Sequence, residues 1–160
     1  MARTVTIDPV TRIEGHARVE LDIADDGTIE NSVFRVMDFR GWESFLRGMQ
    51  VEMMPTLTPR ICGTCSVTHH LAAVKTVDKV MGAVPPPAAV LIRRILNFGG
   101  YLHSHGIHLF ALAGPDLLMD PDTPPEARNV VGMAAVAPDI VKKALRVRSI
   151  GARVTEEIGG

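Results

Sequence analysis

A chain of 160 residues with 46% hydrophobic and 22% charged residues has the size and apolar content of one globular domain with a core of its own. A formal charge of -1 and a pI near 6.6 exclude a general electrostatic binder of nucleic acid, which needs a basic face. No basic stretch followed by an apolar one opens the chain, so no secretory leader is expected.

The first predicted elements are strands. Residues 5–7 and 17–23 alternate apolar and polar side chains, Asp25-Asp26-Gly27 signals a hairpin turn, and residues 29–36 return as a strand. A short helix is predicted over 42–49. Residues 53–59, with Pro55 and Pro59, read as extended chain leading into the cysteines. Helical periodicity begins at Cys65, with Val67, Leu71, Val74 and Met81 on one face, and Gly82 with Pro85-Pro86-Pro87 ends it. The next helix, from about 88 to 112, carries a stripe at Leu91, Ile95, Phe98, Leu102, His105, Leu109 and Leu112, which predicts a packing seam. Gly99 and Gly100 inside it predict close backbone approach by a neighbour.

His103, His105 and His108 invite a metal reading. His105 lies in the apolar stripe, however, and reads instead as a hydrogen-bonded core residue. Between Ile95 and Pro115 no Asp, Glu, Lys or Arg occurs, a length that raises the question of a membrane span. Asn97, Gly99, Gly100, Ser104 and the three histidines answer it: a buried protein helix without membrane insertion. Residues 121–125 mark a surface loop. A last helix follows Pro138 and Asp139, with Ile140, Ala144, Val147, Gly151, Val154 and Ile158 on one face and Arg146, Arg148 and Arg153 mostly elsewhere. The expected fold class is α+β, mostly α-helical with a small N-terminal antiparallel sheet.

Both cysteines lie in the run Arg60-Ile61-Cys62-Gly63-Thr64-Cys65, and His69 follows four residues on. Two thiols so spaced can close on one metal or on each other, and soft thiolates suit zinc, iron and nickel. Half of a structural zinc site would need two more ligands. No other cysteine exists, and His16, His69, His70, His103, His105 and His108 lack the paired spacing of a small ββα unit. A thioredoxin-like dithiol would use the helix that starts at the motif, but its βαβ surroundings are missing.

Two further segments bear on the choice: Asp-Pro-Val-Thr-Arg-Ile-Glu-Gly-His at 8–16 and Phe-Arg-Gly-Trp-Glu at 39–43. With the cysteine run, in this order and spacing, they closely resemble the large, catalytic subunit of nickel-iron hydrogenases. The resemblance continues through residues 85–87, Asn97, Ser104-His105, Gly114-Pro115-Asp116, Arg128-Asn129-Val130 and Gly159-Gly160. The later segments look most like the cytoplasmic, bidirectional branch coupled to a diffusible electron carrier, so a cytoplasmic location is expected. Large subunits of the family are several times longer and end in a second cysteine pair, which this chain lacks. An N-terminal portion is therefore expected, with a small β region over 1–38, a metal-site loop and helical region over 39–160, and the C-terminal portion absent. A fragment is favoured over a large chain divided between two polypeptides.

The resemblance implies roles position by position. Cys62 would be a terminal nickel ligand and Cys65 a thiolate bridging nickel to an iron that carries diatomic ligands. Gly63 would let the loop approach the metal. His69 would donate a hydrogen bond to the bridging sulfur, and His70 would be structural. Glu14 would relay protons and Glu43 would ligate magnesium. Local sequence offers plainer roles, an ion pair with Arg12 or Arg18 for Glu14 and a solvated helix charge for Glu43. Arg40 and Arg60 are assigned no catalytic role. The implied reaction is reversible cleavage of dihydrogen to protons and electrons. The electrons leave through iron-sulfur clusters held by a small subunit, and the second CxxC comes from the missing half or from a companion chain. Diaphorase-type subunits are further candidate partners, and the chain alone is expected to be inactive. The rival readings are a non-catalytic remnant or interaction module docking to a partner, and a CxxC zinc or dithiol protein.

Overall fold

Alternation at the N-terminus becomes a three-stranded antiparallel sheet, β1 (Arg3–Ile7), β2 (Ala17–Ile23) and β3 (Ile29–Val36), in the order β1-β2-β3. In this computed structural model, which describes residues 3–160, the chain divides into two units, Met1–Phe45 and Leu46–Gly160.

The sheet owes its register to polar cross-strand pairs as well as to alternation. Thr4 faces Asp22 and donates to its carboxylate at 2.8 Å, while Asn31 donates to the other oxygen at 3.1 Å. These two donations hold the Asp22 carboxyl below its ordinary range. Arg18 and Arg35 face each other across β2 and β3, a like-charge pairing that Glu20 relieves by accepting from Arg35 at 2.8 Å. The β2–β3 turn closes where Gly27 takes a left-handed φ of 86° and Asp26 accepts from the Thr28 amide at 2.9 Å. The helix expected over 42–49 shortens to α1 (Trp42–Phe45). Gly48, with φ of 82°, adopts a conformation that a continuing α-helix excludes.

In the second unit the stretch expected to be extended is helical instead. A 3-10 turn (Val51–Met53), α2 (Met54–Leu57) and a second 3-10 turn (Thr58–Ile61) run end to end. Pro55 and Pro59 each sit in the first positions of a new turn, where a missing amide hydrogen forfeits no bond. The prolines start turns here rather than forbidding them.

Three long helices follow: α3 (Ser66–Met81), α4 (Pro87–Ile107) and α7 (Pro138–Gly159). Gly82, at φ 65°, ends α3 with its amide turned back to the carbonyls of Asp78 and Lys79. Val67, Leu71 and Leu96, with Ile158 packed on them, make the core where the three helices meet. Burying each of the two leucines contributes about 1.5–3 kcal/mol. Met81, placed on the packed face by periodicity, is exposed. Arg93 donates from both terminal guanidinium nitrogens to Asp78, tying α4 to α3 and lowering the Asp78 carboxyl pKa.

The α4–α7 seam is made by backbone, not by the predicted leucine stripe. Leu91, Ile95, Phe98, Leu102 and Leu109 are all exposed, whereas Leu96, Gly99 and Gly106 are buried. A Cβ on Gly151 would lie 2.4 Å from the His103 amide nitrogen and 2.6 Å from the Gly99 carbonyl, so the helices cross at glycine contact. The close approach expected at Gly99 and Gly100 is present, against Val154 of α7 and Val67 of α3 respectively. On the α7 side the expected face holds: Ala144 and Gly151 are buried, and Ile140, Val147, Val154 and Ile158 half-buried.

After Ile107 the helix widens into a π segment (His108–Ala113) before α5 (Gly114–Leu118). The α6 helix (Val130–Val136) was not expected from periodicity. Asn129 caps it, accepting from the amides of Val131 at 2.9 Å and Gly132 at 3.1 Å, and Met133 is completely buried.

Candidate metal centre

The cysteine loop is held between two clamped elements. The second 3-10 turn ends at Ile61 and Cys62 turns extended, while Cys65 is the residue that precedes α3. His70 of α3 hydrogen-bonds through Nδ1 to the Pro55 carbonyl at 2.8 Å, and the Thr58 hydroxyl donates to the His69 carbonyl at 3.1 Å. Both ends of the four-residue loop are thereby fixed to one side of α3. His70 has the structural role expected of it.

Within the loop the Cys65 amide donates to Cys62 Sγ at 3.2 Å, and the Thr64 hydroxyl lies 3.6 Å from the same sulfur. Such donors stabilise negative charge on a thiolate. Cys62 and Cys65 are joined as a disulfide with Cα atoms 5.3 Å apart, well inside the usual span. The pair expected as thiolates is thus within bonding reach of itself, and metal ligation requires its reduction first. A Cβ on Gly63 would meet no atom within 4 Å and its φ is not left-handed, so the chain leaves open space there and imposes no glycine-only backbone.

One turn into α3, His69 brings its imidazole to the sulfurs. Cys62, Cys65 and His69 offer donor atoms that all lie within 4.8 Å of one another, each from a half-buried residue. Two sulfurs and a borderline nitrogen fit a soft or borderline cation and leave at least one further position to be filled. A cavity of about 270 Å³ opens beside the loop, lined by Gly63, Thr64, Ser66, His103 and Glu156 among others. The dithiol-redox alternative lacks its setting: the sheet is antiparallel and confined to residues 3–36.

The two histidines of α4 differ, and His105 is not the core residue expected. His105 is exposed and bonds through Nδ1 to the Tyr101 carbonyl at 3.0 Å, a helical i−4 contact rather than a core bond. His103 faces the glycine crossing, and its buried Nδ1 has no hydrogen-bond partner. Burial, and secondly the field of Arg148, push its pKa below 6.5. The leucine stripe drew the periodicity to His105; the signal for His103 was its spacing from Gly99 and Gly106.

The two carboxylates singled out from sequence belong to the first unit. Glu14 is exposed on the β1–β2 connection, between Arg12 at φ 65° and Gly15 at φ 81°. The connection is pinned on both sides. Arg18 donates to Asp8 at 2.8 Å, and Asp38 accepts from the His16 amide at 2.7 Å and from its ring at about 3.0 Å. Donation from His16 holds the Asp38 carboxyl below its ordinary range. Arg18 pairs with Asp8 and Glu20, so the plain ion pair between Glu14 and Arg18 is not formed. Glu43 is exposed in the first turn of α1, next to Trp42, over whose ring Arg40 lies at 5.8 Å.

Comparison with known proteins gives this donor set a context. A family model described as nickel-dependent hydrogenase matches residues 40–126, and one described as HoxL-like matches residues 4–39. The chain is 43% identical over 159 residues to one subunit of the F420-non-reducing hydrogenase of Methanothermobacter marburgensis, covering 98% of this chain and 33% of that protein. It is 37% identical over 166 residues to the beta subunit of the NAD-reducing hydrogenase HoxS of Cupriavidus necator, covering 100% of this chain and 34% of that protein. Among solved structures, an NAD+-reducing [NiFe]-hydrogenase in the H2-reduced state superposes with a TM-score of 0.84 at 39% identity, over 96% of this chain and 34% of that one. The Ni-Fe-Se hydrogenase of D. vulgaris Hildenborough follows with a TM-score of 0.73 at 30% identity, over 97% of this chain and 34% of that one. The chain spans about a third of the length of the curated relatives it matches.

Proposed function

This chain belongs to the nickel-dependent hydrogenase family, and from that premise we propose that it supplies the N-terminal half of the metal-holding cysteines of a catalytic large subunit. The observation that carries the proposal is the convergence of Cys62, Cys65 and His69 at the start of α3, inside the stretch that matches the family. Bound there, a nickel-iron centre would supply the reversible heterolytic cleavage of dihydrogen. The rest of the chemistry falls to this chain's own groups.

Reduced, Cys62 and Cys65 would hold the centre as thiolates. The Cys65 amide, already directed at Cys62 Sγ, offsets charge on that sulfur. A cysteine thiolate would serve as a proton acceptor, and Glu14 would serve as a carboxylate that exchanges protons with solvent. Its exposed position gives Glu14 access to solvent. Glu43 offers a hard oxygen ligand to magnesium. The second cysteine pair comes from a companion segment or chain, and electrons leave through iron-sulfur clusters of a small subunit. Diaphorase-type subunits and a cytoplasmic location are part of the same proposal; the likeness to the beta subunit of an NAD-reducing hydrogenase supports an assembly of several subunits. No helix among the described residues is long and apolar enough to cross a membrane.

The test is metal analysis and hydrogen-deuterium exchange on the complete enzyme with Cys62→Ser or Cys65→Ser. Both variants are expected to lose nickel and isotope exchange together. Retention of both in either variant rejects the assignment and favours an interaction module that docks without building the centre.

A further inference from the structure

We propose that the cleft between α3 and α4 binds an organic phosphomonoester, with the phosphoryl group held by Lys75 and Arg94 and the apolar body of the molecule resting on the cleft wall. The cleft measures about 660 Å³, within the range of small-molecule sites. None of Cys62, Cys65 and His69 lines it, so it is separate from the metal centre.

Helical spacing builds the cleft from two rows. Arg93, Asn97 and Tyr101 recur every four residues along α4, and Thr68, Ala72 and Lys75 recur every three or four along α3, so each set stands on one side of its helix. The rows are tied together at one end, where Arg93 donates from both terminal nitrogens to Asp78. Buried Leu71, with Val90 and Pro85, supplies the apolar surface of the cleft. An apolar wall with a few converging polar groups is the usual make-up of a small-molecule site.

Charge selects the ligand. Arg93 and Asp78 cancel each other. Lys75 and Arg94 make no side-chain hydrogen bond or ion pair with any described residue, which leaves two uncompensated positive charges on one cavity of a chain whose formal charge is -1. The Thr68 hydroxyl, the Asn97 amide and the Tyr101 hydroxyl are equally unspent and add neutral donors. A phosphomonoester near neutral pH carries about -1.5 to -2 charges on three strong acceptor oxygens, enough to neutralise both cations and to accept from the neutral donors as well. A monocarboxylate brings one charge and two oxygens, and leaves one cation over. Inorganic phosphate satisfies the cations but leaves Leu71, Val90 and Pro85 uncovered, so the ligand class is a phosphate ester with an apolar body.

The experiment titrates the complete enzyme with naphthyl phosphate by calorimetry, with inorganic phosphate, naphthoate and naphthol in parallel. Naphthyl phosphate is expected to bind at a single saturable site, about tenfold or more tightly than any of the other three. Arg94→Gln and Lys75→Gln should each weaken it about tenfold or more, the scale of one lost charge-assisted hydrogen bond. Both residues are exposed and neither is assigned to the metal centre, so helix content and hydrogen turnover should stay at the wild-type level, which separates a lost contact from a damaged fold. No saturable binding to the complete enzyme, unchanged affinity in both variants, or binding of naphthol or of inorganic phosphate as tight as that of the ester would each overturn the proposal. None of these results touches the hydrogenase reading, which is decided by metal content and isotope exchange in the cysteine variants.

Discussion

Glu14 and the cysteines are separable by the kind of failure their loss produces. Glu14→Gln keeps shape and hydrogen-bonding capacity but removes the exchangeable proton. In the complete enzyme metal content should stay at the wild-type level while hydrogen turnover falls about a hundredfold or more, the scale of an essential proton carrier. Full turnover in that variant removes Glu14 from the relay. Cys65→Ser fails earlier, in metal retention itself, because an alcohol oxygen is a hard and weakly acidic replacement for a thiolate. At this scale the sequence was legible where chemistry depends on residue type at short spacing: Cys62, Cys65 and His69 converge as one helical turn requires. It was misleading at His105, where periodicity counted the ring as apolar-face core although it is exposed. Closure of the cysteines on each other was an open option that spacing alone does not decide.

At the level of elements the α4–α7 crossing is the feature most exposed to small changes. Gly151→Ala places a methyl group 2.4 Å from the His103 amide nitrogen, and backbone does not yield as a flexible side chain would. The helices must part, at a cost of about 1–3 kcal/mol. Lower helix content by circular dichroism and faster proteolysis within α7 are the expected signs; wild-type values for both would show that the seam adapts. The same crossing responds to pH. The folded-state pKa of His103 is depressed below 6.5, so between the two values the unfolded chain binds more protons and stability rises with pH. Acidification from pH 7 through that window should loosen the seam, read as falling amide protection in α4 and α7, and His103→Asn should flatten the dependence. Helix existence was readable from capping and breaking residues such as Gly82 and Pro138, and the α7 face from its spacing. The α4 face was not, because Gly99, Gly106 and Gly151 pack by backbone and carry no hydrophobic signal. The turns at Pro55 and Pro59 were missed for a related reason, since proline marks a helix start as readily as a stop.

For the whole molecule, the balance of buried and exposed apolar surface decides how the chain behaves alone. The described core holds few large side chains, chiefly Val67, Leu71, Leu96 and Met133, while Phe34, Phe39, Val84, Leu91, Phe98 and Leu117 each leave more than half of their surface in solvent. Scattered exposed apolar residues are ordinary, but Leu91, Ile95, Phe98, Leu102 and Leu109 recur along one side of α4 and its π extension, which makes a continuous strip. A strip of that kind lowers the free-energy gap between native packing and non-specific association. The isolated 160-residue chain should therefore bind a hydrophobic dye, associate as concentration rises and melt over a broad range rather than in one sharp step. Replacing Phe98 and Leu102 together by Gln should reduce dye binding and association while leaving helix content intact, since neither side chain is in the buried core. A monodisperse monomer with a sharp cooperative transition and no dye binding would mean that the small core suffices, and would favour a self-sufficient binding module over part of a larger catalytic subunit.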